Sequence, residues 1–288
     1  VGQQGIAHGD GIPHGLPVFE TVDFLLPGVQ GGMVAHQRGE DAQLKEAGQL
    51  KGDAPMMGYV GAFTYAEVIS GYTSFYLGAK SVCPDVTMKV QFTGSWYDET
   101  EEKNAAEALI AAGADLISQH ADSMGAPSAC EDAGIPNVSY NGSTVANCPN
   151  TFIVASRINW APYFEYILTQ NAKGEAIDTD WTGTIATGSV VLTDVNEQAA
   201  AAGTAEKIAE VKAQLEDGTV KVFDTAAEGF ITVGGEAVTS YTADVDTDAA
   251  FTPDTEVVSD GYFHESEYRS APYFDMQIDG IELLNSAF

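Results

Sequence analysis

The sequence predicts an α/β fold built on a parallel, doubly wound sheet. Three observations carry this. Between residues 57 and 143, short apolar runs alternate with amphipathic runs four times over. The amphipathic runs mostly have the length of helices that cross between parallel strands, about 10–15 residues. Each apolar run ends in small, polar and aromatic residues, and in an open parallel sheet ligands sit beyond the carboxyl ends of the strands.

The elements follow in order. Residues 57–63, Met-Gly-Tyr-Val-Gly-Ala-Phe, read as a strand. Residues 67–82 have helical spacing, with Val68, Tyr72, Phe75, Tyr76 and Ala79 on one face. Residues 88–93 form the next strand. The helix over 100–112 carries charge at Glu101, Glu102 and Lys103 and apolar residues at Ala105, Ala108 and Leu109. A third strand at 115–118, a short helix at 126–133 and a fourth strand at 135–140 complete the pattern. A fifth strand is expected at 151–155. Asn159 caps the next helix, Pro162 falls in its first turn, and it stops near Gly174.

Beyond that helix, 189–193 reads as a strand and 199–215 as a helix with Ile208, Val211 and Leu215 facing inward. A strand at 220–223 follows. Runs at 231–233 and 238–241 flank Gly234-Gly235, a hairpin signal. The stretch 262–275 is aromatic and polar, and 276–281 closes the chain as a strand. Ahead of the core, 18–26 suits a strand and 37–50 a polar helix. Gly28-Val-Gln-Gly-Gly is no phosphate loop, because no Lys-Ser/Thr follows it.

Asp and Glu number 42 against 12 Lys and Arg, a formal charge of −30. Such a surface repels phosphate backbones and anionic headgroups, which argues against nucleic acid and direct membrane-surface binding. No run of 18 apolar residues is available to span a bilayer. The start, Val1-Gly-Gln-Gln-Gly, does not read as a signal peptide. The cysteines, Cys83, Cys130 and Cys148, form neither a disulfide framework nor a zinc pattern, and whether Cys130 and Cys148 pair is left to geometry. His8, Asp10 and His14 lack tight ligand spacing. Asp244-Val-Asp-Thr-Asp248 starts like a calcium loop, but Ala249 and Thr255 stand where Gly and Glu are needed. No metal and no cofactor is expected.

Catalysis finds little support. His120, Asp122 and Ser123 are the residue types of a hydrolytic triad, but they lie almost adjacent on one strand end and cannot relay a proton. No Gly-x-Ser-x-Gly elbow and no Gly-x-Gly-x-x-Gly strand-to-helix turn occurs. Binding asks for less. Phe63, Tyr65, Trp96, Tyr140, Trp160 and Trp181 offer faces for a planar heterocycle, and Gln119, His120, Asp122, Ser123 and Asn141 offer hydrogen bonds to its edges.

At these residues the chain resembles a known family. Met57-Gly-Tyr-Val-Gly-Ala-Phe, Ser81-Val-Cys-Pro-Asp, Gly94-Ser-Trp-Tyr-Asp, Gln119-His-Ala-Asp-Ser and Asn159-Trp-Ala-Pro-Tyr are similar in order and spacing to the basic membrane protein family. These are substrate-binding lipoproteins of ABC transporters, similar to purine-nucleoside receptors. The resemblance implies a type I periplasmic-binding-protein fold: two doubly wound α/β lobes joined by a hinge, with a purine nucleoside or nucleobase held in the cleft and not turned over. It implies an ABC permease as partner, a monomeric receptor, and an extracytoplasmic location, lipid-anchored or periplasmic. The family carries a longer segment ahead of the match at Gln30-Gly-Gly-Met33, so the first lobe is expected to be incomplete. The expected division is 1–56 as a partial N-terminal lobe, 57–195 as the second lobe, and 196–288 returning to the first lobe with a hairpin-rich tail. Many relatives carry Asp where this chain has Asn141, a change that bears on selectivity. Other readings are a ligand-binding sensor using the same cleft, or a nucleoside hydrolase.

Overall fold

The computed structural model describes residues 54–246, 250 and 252–288. The strand expected at 18–26, the helix at 37–50, the His8, Asp10 and His14 grouping and nearly all of the partial lobe at 1–56 lie outside them.

Among the described residues six strands come first: β1 (Met56–Gly61), β2 (Thr87–Phe92), β3 (Leu116–His120), β4 (Asn137–Tyr140), β5 (Phe152–Ile158) and β6 (Val190–Leu192). Three small antiparallel hairpins follow: β7 (Thr232–Val233) with β8 (Glu236–Ala237), β9 (Thr242–Ala243) with β10 (Thr255–Glu256), and β11 (Val258–Ser259) with β12 (Tyr262–Phe263). The last strand is β13 (Ile281–Leu283). The main sheet has the order β13-β2-β1-β3-β4-β5-β6. Its pairings are parallel except the last, where β6 runs against β5. This is the expected α/β class with a parallel-dominated sheet.

The helices are α1 (Ala66–Val82), α2 (Glu99–Ala111), α3 (Gly125–Ala133), α4 (Ala161–Lys173) and α5 (Thr204–Glu216). Their limits follow local chemistry. At the start of α2, the Asp98 carboxylate accepts the N–H groups of Thr100 and Glu101 at 3.1 and 3.0 Å. These are donors that a helix start leaves unpaired. Asn159 Oδ1 accepts from Ala161 N at 3.3 Å ahead of α4, and α4 ends at Gly174, whose φ of 69° suits glycine. Helix α5 begins at Thr204, later than the pattern from 199 suggested. Gly203 just ahead has φ 87°, a left-handed turn that stops the helix from extending backwards.

Successive strand residues feed opposite faces of the sheet. Tyr59 joins Tyr72 and Phe75 of α1 on one face, and Val60 joins Ala105, Leu109 and Ala129 of α2 and α3 on the other. Both cores are closed to water at these positions.

The described part of 196–288 packs on the sheet and helices of 57–195, and it differs from expectation in two places. Ile208, Phe223, Phe263 and Phe274 complete the α1-side core, and β13 pairs with β2. The physical reason is that the α1 face and the β2 edge both need cover. Residues 220–223 form no strand; the neighbourhood makes only an isolated bridge, Asp224 to Tyr262. The final strand begins at Ile281 rather than at 276. Asp279 is taken up by the hairpin turn, its carboxylate accepting Gly234 N and Gly235 N at 3.0 and 2.8 Å. The expected Gly-Gly hairpin is there, with both glycines at positive φ. Cys83, Cys130 and Cys148 are all buried, and no two of them form a disulfide.

Candidate functional site

Strand β2 lies on one side of β1 and β3 on the other, so the chain reverses direction across the sheet at β1/β3. A doubly wound sheet opens a crevice at that switch point, outside the carboxyl ends. Backbone pairing continues past the strands there. Ala62 N donates to His120 O at 3.1 Å, Gly94 N to Ala62 O at 2.9 Å, and Asp122 N to Trp96 O at 2.9 Å. The loops after β1, β2 and β3 are therefore fixed to one another.

On this frame five expected site residues form one line of rings. Tyr65 stacks on Phe63 with centroids 5.0 Å apart, and Phe63 meets Trp96 edge-on at 5.4 Å. Trp96 lies 5.7 Å from the His120 ring, which lies 4.3 Å from Tyr140. Tyr65 is exposed, Phe63, Trp96 and Tyr140 are half-buried, and His120 is buried. Burial pushes the His120 imidazole down to about 4, so at neutral pH the ring is uncharged and combines one donor with one acceptor.

The polar candidates divide by role. Asp122 is exposed beside this line, and partial loss of water lifts its carboxyl above the ordinary range. Asn141 sits at the end of β4 with φ 58°, and its Oδ1 accepts from Ile158 N at 3.5 Å. Gln119 is buried, and its Oε1 accepts from Asn137 Nδ2 at 2.9 Å, which ties β3 to β4. Ser123 is buried in scaffolding: its N–H donates to the Glu102 carboxylate at 3.2 Å and its Oγ accepts from Gly125 N at 3.0 Å. Glu102 also accepts from Asp98 N at 3.1 Å. Burial raises the Glu102 carboxyl, while the Ser123 and Asp98 donors oppose that rise. This buried carboxylate locks the loop after β3 to the start of α2.

Trp160 and Trp181 belong to a second aromatic group around α4. Trp160 is exposed, 6.1 Å from Phe164, and Trp181 lies 5.2 Å from Tyr163 and stacks near Tyr166 at 6.4 Å.

One contribution was not foreseen. The last residues of the chain reach the same edge. Asn285 Oδ1 accepts from Phe92 N at 2.7 Å and its Nδ2 donates to Phe92 O at 2.8 Å. Thr64 N donates to Ala287 O at 2.8 Å. A lone Asn so far from β2 in sequence carries no local signal of this pairing. Among the described residues, no three His, Cys, Asp or Glu converge as metal ligands.

Residues 50–222 match the Bmp family, described as ABC transporter substrate-binding protein, PnrA-like. The chain belongs to this family. A purine-binding protein of Brucella abortus is 40% identical over 107 residues, 37% of this chain and 31% of that protein. A putative ABC transporter glucose-binding protein of Haloferax volcanii is 33% identical over 141 residues, 48% of this chain and 36% of that protein. The chain thus spans about a third of these curated relatives. Two solved solute-binding proteins of ABC transporter systems share the fold. The one from Aeropyrum pernix has TM-score 0.54 and 16% identity, covering 73% of this chain and 65% of that one. The one from Conexibacter woesei has TM-score 0.51 and 20% identity, covering 69% and 63%. The fold is accordingly that of the type I periplasmic-binding proteins. Among the described residues, no helix is long and apolar enough to cross a membrane.

Proposed function

We propose that this Bmp-family chain is the binding subunit of an ABC importer, working outside the cytoplasm, and that it takes a purine nucleoside or nucleobase at the strand-end crevice. One observation carries the reading: the ring line Tyr65–Phe63–Trp96–His120–Tyr140 at the switch point, with Asp122 and Asn141 on its border. Stacked rings grip a planar base, and a neutral imidazole and a carboxyl answer its mixed donors and acceptors. The name of the Brucella relative supports purine over other planar ligands. In this reading binding leaves the ligand intact, and Ser123 is committed to Glu102 and Gly125. A permease would read the liganded state, and a monomeric receptor, lipid-anchored or periplasmic, fits that role.

The test is calorimetric titration of the full chain with adenosine, guanosine, adenine and glucose, followed by chromatography of the recovered ligand. Saturable binding of a purine, recovered intact, supports the proposal. Glucose binding in preference to every purine would redirect it to sugars, the ligand class named for the Haloferax relative. Recovery of free base from nucleoside would make it a hydrolase.

A further inference from the structure

Trp96 and Asp122 border the crevice from two different loops, one after β2 and one after β3. A loop residue grips a ligand well only if it is held in the bound arrangement beforehand. The two loops bond to each other where Asp122 N donates to Trp96 O at 2.9 Å. They meet again at a residue that neither of them contains. Glu102, in the first turn of α2, is wholly buried. Its carboxylate accepts Asp98 N at 3.1 Å, two residues on from Trp96. It also accepts Ser123 N at 3.2 Å, one residue on from Asp122.

These bonds close a ring. From Trp96 the path runs along the chain to Asp98, across to Glu102 and across to Ser123. It returns along the chain to Asp122 and across to Trp96. Both flanks of the ring are braced. On the β2 side, the hydroxyls of Thr93 and Ser95 accept Ser95 N and Tyr97 N at 3.4 and 3.2 Å. On the β3 side, Ser123 Oγ accepts Gly125 N at 3.0 Å. Gly125 itself lies so close to α2 that an added Cβ would stand 2.3 Å from Glu99 O. Glu102 is the member of the ring that ties both loops to α2.

A buried carboxylate bonded to backbone N–H groups is a strong anchor, because donors left unpaired away from water are costly. We propose that Glu102 is a positioning residue of the ligand site. Buried and out of the ligand's reach, it sets Trp96 and Asp122 at the spacing that grips a planar base. This rests on the strand-end crevice being the purine site.

The test compares Glu102→Ala and Glu102→Gln with Asp115→Asn, each in the full chain. Gln keeps an acceptor for the two N–H groups and Ala keeps none. The Asp115 carboxylate accepts Met56 N at 3.0 Å at the opposite end of the sheet, so its variant reports a weakened carboxylate bond away from the crevice. In the ligand-free proteins, the Trp96 indole N–H and Asp122 amide resonances should both move in Glu102→Ala, move less in Glu102→Gln and hold in Asp115→Asn. Adenosine affinity, read by calorimetry, should fall at least about fivefold in Glu102→Ala, recover in part in Glu102→Gln and stay within about twofold in Asp115→Asn. On an Asp122→Ala background, Glu102→Ala should cost less affinity, since one of the two positioned groups is already gone. Should Glu102→Ala fail to fold by circular dichroism, Glu102→Gln carries the test: it must move both resonances and weaken adenosine at least about twofold. Unmoved Trp96 and Asp122 resonances overturn the proposal, as does unchanged affinity where the wild type binds adenosine. A wild type that binds no purine sinks the reading of the crevice instead, and the resonances then decide by themselves whether Glu102 sets the two loops.

Discussion

His120 offers the sharpest test of the site. Its ring is held between Trp96 and Tyr140 and is buried, which pushes its titration from 6.5 down to about 4. That interval corresponds to about 3 kcal/mol against charging the ring in the folded protein. The sign follows by linkage. The unfolded chain binds a proton near 6.5 and the folded chain does not, so this contribution is intact above 6.5. It is lost as pH falls toward about 4. Replacing the ring by a neutral amide in His120→Gln should therefore flatten the stability profile in that window by about 3 kcal/mol relative to wild type. Urea unfolding at pH 7, 5.5 and 4 measures this, and the wild-type minus variant difference removes the contribution of the many carboxylates. In parallel, the ring Cε1–H resonance, assigned by its disappearance in the variant, should stay unmoved from pH 8 to 5.5. Purine affinity should be flat over the same range. A resonance that titrates near 6.5 would refute the reasoning, because it would mean that water reaches the ring and that the line of aromatics does not close over it.

Other outcomes follow from the same geometry. Trp96→Ala should weaken purine binding by about 1–3 kcal/mol, the usual worth of one stacked base, as read by calorimetry. Gly280→Ala should lower stability by more than about 2 kcal/mol in thermal unfolding. An added Cβ there would stand 1.9 Å from the Tyr76 hydroxyl on a backbone at φ +92°. Gly125→Ala should separate α3 from α2, since the new Cβ would meet Glu99 O at 2.3 Å; a thermal midpoint matching wild type would contradict that packing. Glu265, raised in the folded state to about 8, contributes stability that is complete below its unfolded value of 4.5 and is lost as pH rises through about 8. The loss reaches about 5 kcal/mol at most, with Arg269 opposing it and Glu267, Tyr241 and Tyr273 nearby; Glu265→Gln should abolish it in urea unfolding at pH 5 and 8.5.

The sequence by itself determined the alternation of strands and helices from 57 to 193, and with it the α/β class. Periodicity is a local property: Val68, Tyr72 and Phe75 face one way whatever else is present, and Gly174 ends its helix by its own backbone freedom. The residues at the strand ends were legible for the same reason, because chain order alone puts Phe63, Trp96, His120 and Tyr140 at one edge of a parallel sheet. What chain order could not give was which of them meet. The tertiary structure joined Tyr65, Phe63, Trp96, His120 and Tyr140, set Trp160 and Trp181 around α4, and turned Gln119 and Ser123 to hydrogen bonds inside the scaffold. It also decided the tail. Nothing near Ile281 or Asn285 announces a place beside β2, since that pairing is set by an open sheet edge and an uncovered α1 face far away in sequence.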